Sequence, residues 1–226
     1  MAGCSLSTLL RSTCYRPCPP FAYTYGDGVV AGTLTRDILR VHSIKAVTVA
    51  NVTKTQVPLS LKGFDSLGNG GMIIDSGTTY THLPEPFYTQ LLSVLQSVIT
   101  YPRATEVEER SGFDLCYRIP CDNNNNIVAD DLPSITLHFL NNVSITLPRG
   151  NSFYAMSAPS NSSVAKCLLF QSMDESSDDD HYGPAGVLGS FQQQNVEVVY
   201  DLEKERIGFQ VADCALAAVT QGLQKT

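Results

Sequence analysis

The sequence is poor in charge, and basic residues are the scarcer kind. Charged residues make up 16% of the 226 positions, and 15 Lys and Arg stand against 22 Asp and Glu, which gives a formal net charge of -7. This balance leaves no basic stripe for the phosphates of a nucleic acid or for an anionic membrane surface. We therefore expect no nucleic-acid partner.

Long apolar runs are also missing. No run approaches the roughly 20 residues that a helix needs to span a bilayer, so the sequence predicts no membrane segment. A signal peptide is not visible either, because the apolar stretch within residues 1–13 is short and contains Arg11. The hydrophobic content of 43% is nevertheless ample for a folded core.

Cysteine, by contrast, is abundant. Seven cysteines are many for a cytosolic protein, and Asn-x-Ser/Thr sequons for N-glycans occur at Asn51, Asn142 and Asn161. Both features indicate a secreted or vacuolar protein. The lack of a visible signal peptide conflicts with that location. A shortened form of a longer precursor would reconcile the two. The odd number of cysteines leaves at least one thiol free or intermolecular.

Two stretches invite a metal interpretation, and neither has the required pattern. Cys14 and Cys18 lack a nearby histidine or second cysteine pair to complete a zinc site, so a disulfide loop is favoured. The acidic run at residues 174–180 lacks the ligand spacing and central glycine of a helix-loop-helix calcium site. We expect no metal and no cofactor.

The series of elements predicts a mostly β chain with few helices. Hairpins are predicted where alternating segments flank turn residues, at residues 21–34, 134–147 and 195–210, and further strands at 38–41, 44–52, 113–116 and 166–170. Apolar residues at helical spacing follow Pro86, with Phe87, Leu91, Val94, Leu95 and Val98 on the predicted apolar face. Residues 215–223 suggest a short terminal helix, and the charged stretch 105–112 is predicted to be a solvated loop.

The stretch at residues 71–84 is the most informative part of the chain. The apolar residues 72–74 suit a strand covered on both faces, and Asp75 follows them directly, before a tight turn. The hydroxyls of Ser76, Thr78 and Thr79 can donate hydrogen bonds to the carboxylate, and Gly77 lets backbone amides approach it. Asp-Ser-Gly is also an ordinary turn tripeptide. The helix after it and a distant apolar-apolar-glycine segment at 187–189 favour a functional interpretation.

This series of motifs resembles the pepsin-like aspartic endopeptidases, and most closely their plant nepenthesin-like branch. Residues 72–79 are similar to the second of the two catalytic Asp-Thr/Ser-Gly motifs of that family, and residues 187–189 to the strand that completes its psi-shaped loop. Tyr-Gly-Asp-Gly at 25–28 resembles the flap hairpin, and residues 196–209 resemble the closing hairpin. The resemblance implies a mostly β fold, with a C-terminal lobe at 43–226 and a remnant of the N-terminal lobe at 1–42.

The resemblance also implies roles for individual residues. Asp75 would be a catalytic carboxylate of an aspartic-type endopeptidase, supported by Ser76, Gly77 and Thr78. Tyr25 would be the flap residue that closes over a polypeptide substrate. The alternative interpretation is that Tyr25 is a half-buried residue of an edge strand.

The resemblance further implies a disulfide between Cys116 and Cys167, which leaves Cys121 and Cys214 without obvious mates. His82 is a tempting base because it lies beside the motif. No serine or cysteine elbow accompanies it, so we expect a surface or packing residue.

The mechanism of this family needs two carboxylates that share one proton across a bound water. A second apolar-apolar-Asp-Thr/Ser-Gly segment is missing, since Asp27-Gly28 lies in the flap-like hairpin and Asp65-Ser66 is followed by Leu67. Three hypotheses stay open: a member of the endopeptidase family that is inactive as an isolated monomer, a symmetric homodimer in which each copy supplies Asp75, and a catalytically inactive binding or inhibitor-like protein on the same fold.

Overall fold

Strands dominate the computed structural model, as the sequence predicts. It describes residues 20–25, 28–33, 44–50, 53–66, 69–122, 124, 126–128, 130–156, 162–173, 183–201, 203 and 206–213. The strands are β1 (Pro20–Tyr25), β2 (Gly28–Thr33), β3 (Ile44–Val49), β4 (Thr53–Gln56), β5 (Met72–Asp75), β6 (Thr81–Leu83), β7 (Cys116–Pro120), β8 (Ile135–Phe139), β9 (Ser144–Thr146), β10 (Phe153–Ala155), β11 (Ser163–Leu168), β12 (Phe170–Ser172), β13 (Gly186–Gly189), β14 (Val196–Asp201) and β15 (Arg206–Val211). The helices are α1 (Phe87–Val98), α2 (Thr105–Ser111) and α3 (Arg149–Ser152), with 3-10 turns at Leu59–Leu61 and Leu140–Asn142.

Among the described residues, the strands pair into three sheets and two separate hairpins. One sheet is antiparallel with the order β4-β3-β8-β9, and a second is antiparallel with the order β10-β11-β7. The third sheet is mixed and has the order β12-β6-β13-β5. The hairpins β1–β2, β8–β9 and β14–β15 confirm the three predicted from alternation and turn residues.

The mixed sheet brings together segments that are far apart in the chain. Strand β13 runs parallel to β5, in a register that pairs Gly186 with Met72 and Gly189 with Asp75. This pairing confirms the prediction that residues 187–189 complete the strand arrangement around the Asp75 motif. Met72 is buried, but Ile73 and Ile74 are only half-buried because β5 is the outermost strand of the described sheet. The expectation of a strand covered on both faces was wrong for these two residues.

Helix α1 is amphipathic and packs against β4 and β12. Its buried residues are Phe87, Tyr88, Leu91 and Leu95, whose spacing places them on one face. Val98 belongs to the predicted apolar face but is 36% exposed, because it is the last residue of the helix.

The charged stretch 105–112 is a helix, so the prediction of a solvated loop was wrong. Val107 buries its side chain in a small core, and Gly112, with φ of 74°, ends the helix by donating its N–H to the Glu108 carbonyl at 2.9 Å. Glu108 accepts hydrogen bonds from Arg103 Nε and Nη2, both at 2.8 Å. This ion pair raises the pKa of Arg103. A charge paired inside the fold looks the same in the sequence as a charge in water.

The core has two parts. The larger one is formed by residues from all three sheets and α1, and the smaller one contains Ala104, Val107, Phe113 and Leu169. The predicted disulfide between Cys116 and Cys167 is confirmed, and it joins β7 to β11 inside the smaller core. Cys121 is buried with a free thiol.

Strand boundaries differ from the predictions at two places. Strand β3 ends at Val49 rather than at residue 52, because Ala50 has φ of 54° and starts a turn. Strand β7 begins at Cys116, with Phe113 packed before it in the smaller core.

Some predictions fall outside the described residues. They are the strand at 38–41, the helix at 215–223, the Cys14 and Cys18 loop, the acidic run at 174–180, and Asn51, Asn161 and Cys214. None of the helices in the described ranges is long and apolar enough to cross a membrane. Within the same ranges, His, Cys, Asp and Glu side chains form no group of three that could hold a metal ion.

Candidate active site

Asp75 is the last residue of β5, and its carboxylate is fixed by the turn that follows. The backbone N–H of Gly77 donates to Oδ1 at 2.8 Å, and the hydroxyl of Thr78 donates to Oδ2 at 2.7 Å. Asp75 is only partly exposed, whereas Ser76 and Gly77 are exposed. Each carboxylate oxygen therefore has one fixed donor and further acceptor capacity, which suits a carboxylate that has to hold and orient a water molecule.

The turn after Asp75 is tied to the segment that follows β13. The N–H of Ser190 donates to the carbonyl of Thr78 at 2.7 Å, and the N–H of Phe191 donates to that of Thr79 at 3.0 Å. The loops that follow β5 and β13 are thus joined by hydrogen bonds. The Asp75 turn is bonded to residues more than a hundred positions away in the sequence.

Gly189 allows the two segments to approach each other. A Cβ atom at this position would lie 2.4 Å from the carbonyl carbon and oxygen of Tyr80. No side chain fits there, and only glycine lets β13 pass this close to the end of the Asp75 turn.

Tyr80 anchors the end of the turn through aromatic contacts. Its ring meets Phe113 edge to face, with centroids 5.1 Å apart, and lies 6.2 Å from the ring of Phe191. Phe191 in turn contacts Tyr154 with centroids 5.3 Å apart. The turn is therefore packed against the smaller core, and its backbone is held at both ends.

Comparison with known proteins decides the family. The profile of the family described as "Xylanase inhibitor C-terminal" matches residues 43–211. A probable aspartyl protease of Arabidopsis thaliana is 37% identical over 165 residues, which is 70% of this chain and 32% of that protein. The chain belongs to the plant pepsin-like aspartic proteases.

A second relative agrees with this assignment. Aspartic proteinase nepenthesin-1 of Nepenthes gracilis is 32% identical over 167 residues, which is 73% of this chain and 34% of that protein. The chain thus spans about a third of the length of these curated relatives.

Solved structures show the same fold. The crystal structure of edgp aligns with a TM-score of 0.59 and 19% identity, over 88% of this chain and 46% of that one. Conglutin gamma, a basic 7S globulin from lupine seeds, aligns with a TM-score of 0.52 and 18% identity, over 94% of this chain and 44% of that one.

For this pepsin-like chain, the structure brings only part of the predicted site together. Gly77 and Thr78 contact Asp75 as expected, while Ser76 lies exposed in the turn. The backbone of Tyr25 pairs with Gly28 at the end of the β1–β2 hairpin, but its side chain lies outside the description. The flap role of Tyr25 stays a prediction.

His82 has the environment of a packing residue. It lies in β6 opposite Val187, is half-buried, and its Nδ1 is 3.3 Å from the carbonyl oxygen of Ser172.

Three buried polar residues that are linked by hydrogen bonds did not emerge from the sequence. They are Thr81, Asn151 and Gln192, which are 0%, 4% and 1% exposed. Gln192 is the first of three consecutive glutamines, and nothing in a run of identical residues tells which side chain is buried. The apolar-apolar-glycine segment at residues 187–189 lies just before these glutamines in the sequence. It was the signal in the sequence that the glutamines lie near the site.

Proposed function

We propose that this chain carries one half of the active site of an aspartic-type endopeptidase, which hydrolyses peptide bonds in polypeptides. The observation that carries the proposal is the Asp75 carboxylate, held by Gly77 and Thr78 at the end of the parallel strands β5 and β13. Membership of the plant pepsin-like family supports it.

The chemistry requires a partner for Asp75. In an aspartic dyad, the ionised carboxylate takes a proton from the shared water, and the protonated one donates a hydrogen bond to the scissile carbonyl. A single carboxylate cannot be in both states at once. The proposal therefore includes a second carboxylate, supplied by another lobe or by a second copy of this chain, and an isolated monomer is expected to be inactive. Tyr25 is proposed as the flap residue over the bound polypeptide.

The test is the cleavage of an unstructured protein at acidic pH, at chain concentrations high enough for a second copy to associate. The purified chain is compared with Asp75→Asn and with the wild-type chain treated with a pepsin-type transition-state inhibitor. Cleavage that both treatments abolish supports the proposal, and cleavage that continues in Asp75→Asn overturns it.

A second candidate is a catalytically inactive, inhibitor-like binding protein on the same fold. The match to the family described as "Xylanase inhibitor C-terminal" favours it. Such a protein would bind its partner with Asp75 unused. Inhibition of a xylanase that is equal for the chain and for Asp75→Asn would support this candidate, and its absence from a folded chain would count against it.

The proposal places the protein on the secretory route, in a secreted or vacuolar form. Asn142 is the sequon residue within the described part of the chain. It is exposed in the 3-10 turn between β8 and β9, with φ of 60°, and is therefore accessible for an N-glycan.

A further inference from the structure

Gln192 is the buried member of a run of three glutamines. It is 1% exposed, whereas Gln193 is half-buried and Gln194 is exposed. A buried carboxamide is costly unless its donors and acceptors are paired, so a glutamine in this position has a specific set of partners.

The hydrogen bonds of Gln192 use its carboxamide completely. Oε1 accepts from the backbone N–H of Thr81 at 2.9 Å and from the Thr81 hydroxyl at 2.7 Å. Nε2 donates to the carbonyls of Asn151 at 2.7 Å and Leu169 at 3.0 Å. Because a carboxamide has two N–H donors and two acceptor sites, the four bonds leave no capacity unused and fix which end is oxygen.

The side chain of Asn151 also binds the segment that carries Gln192. Its Nδ2 donates to the backbone carbonyls of Gln192 at 3.2 Å and Gln194 at 2.5 Å. Each amide side chain thus binds the main chain of the other residue. This clasp joins α3 to the loop between β13 and β14.

The network reaches Asp75 through Thr81. The Thr81 hydroxyl donates to Gln192 and accepts from the N–H of Gly189 at 3.1 Å, and Gly189 is the register partner of Asp75. The loop that carries Gln192 also holds the Asp75 turn, because Ser190 N–H bonds to Thr78. Gln192 is therefore connected both to the strand beside Asp75 and to the turn that supplies its donors.

We propose that Gln192 is a positioning residue for Asp75, which holds β13 and the Asp75 turn in the register that directs the carboxylate. The assignment of a catalytic role to Asp75 rests on the proposed function, but the positioning itself is a property of the folded chain. It can be measured without any cleavage assay.

The experiment uses nuclear magnetic resonance on the full chain with Gln192→Met, which keeps the length of the side chain and removes all of its hydrogen bonds. Gln194→Met is the matched control, since that side chain is exposed. We expect exchange of the Thr81 and Gly189 amides to become about 10- to 100-fold faster relative to the amides of β3 and β8. The Gly77 amide signal, which reports the hydrogen bond to Asp75 Oδ1, should move to a new position. Gln194→Met should change neither.

A milder variant covers the case in which Gln192→Met does not fold. Thr81→Val keeps the backbone bond to Gln192 but removes the acceptor of the Gly189 N–H, and it should alter the same signals in the same direction to a smaller extent. A purely structural role predicts a uniform loss of exchange protection in every sheet, with the position of the Gly77 amide signal unchanged. That result in either folded variant would overturn the proposal, whether or not the chain proves to be a peptidase.

Discussion

The hydroxyl of Tyr88 ties helix α1 to a strand that is distant in the sequence. Its hydroxyl lies 3.0 Å from the carbonyl of Phe170 and 2.8 Å from Asp114 Oδ2. Burial, and then the hydrogen bond to the Asp114 carboxylate, raise the pKa of Tyr88 far above its ordinary value. The phenol therefore stays protonated as long as the chain is folded.

Because the folded pKa of Tyr88 exceeds the unfolded one, its contribution to stability is complete below about pH 10 and is lost as the pH rises above that value. Tyr88→Phe keeps the ring in the core and removes the hydroxyl. We expect the free energy of unfolding at neutral pH to fall by about 1–2 kcal/mol, measured by urea unfolding, with a weaker decline at alkaline pH than in the wild type. An equal alkaline decline in both proteins would contradict the role of Tyr88.

Asp122 shows the opposite effect at the surface. Its Oδ1 accepts the backbone N–H groups of Asn126 at 2.8 Å and Asn124 at 2.9 Å. The backbone hydrogen bond from Asn126 is the largest cause of a lowered pKa at Asp122. One carboxylate thus holds two backbone N–H groups of the polar segment that follows it.

Because the pKa of Asp122 is lower in the folded chain, the hydrogen-bonded carboxylate contributes to stability above about pH 4. This contribution to stability disappears as the pH falls through the folded pKa of Asp122. We expect the amide signals of Asn124 and Asn126 to move only below that pH in a titration followed by nuclear magnetic resonance. Asp122→Asn keeps an acceptor oxygen but cannot titrate, so in this variant the amide signals of Asn124 and Asn126 should stay constant as the pH falls. A midpoint at or above the ordinary value for aspartate would refute this account.

Helices and strands were predictable where the residues within the element itself determine its structure. Hairpin β14–β15 follows from alternation around a turn, and α1 follows from apolar residues at helical spacing after Pro86. Helix α2 was missed because its stability depends on Arg103 and Cys116, which bond to Glu108 from outside the helix. No pattern within seven helical residues contains that information.

Two glutamates on α2 provide a matched pair to test this explanation. Glu108 is 13% exposed and binds Arg103 and the N–H of Cys116, whereas Glu106 is 50% exposed and binds Arg118 at 2.6 Å. We expect Glu108→Gln to lower the free energy of unfolding by about 1–3 kcal/mol, and Glu106→Gln to lower it by less than about 1 kcal/mol because water screens that pair. Thermal or urea unfolding measures both. Equal losses in the two variants would contradict this explanation.

At the scale of the whole molecule, the sequence motifs were sufficient to relate two distant segments. The similarity of residues 72–79 and 187–189 to paired strands predicted the β5–β13 contact, and the register of Asp75 with Gly189 agrees with it. The polar clasp beneath the site was not predictable, because the burial of Gln192 depends on Thr81 and Asn151, which no local pattern connects to it.

Under the proposed function, Asp75 is necessary for peptidase chemistry, and a second carboxylate is needed to complete the dyad. The chain spans about a third of the related aspartyl protease and nepenthesin-1, and the described site contains one positioned carboxylate. A symmetric homodimer would supply the second from another copy, and its activity would then depend on association.

The most direct measurement is the rate of acid cleavage of an unstructured protein as a function of chain concentration, with the oligomeric state determined at each concentration. We predict no cleavage by the monomer. Any cleavage at higher concentration should rise with the square of concentration while dimers are scarce, and it should vanish in Asp75→Asn. Cleavage proportional to the concentration of a monomer, or cleavage that survives Asp75→Asn, would contradict the account.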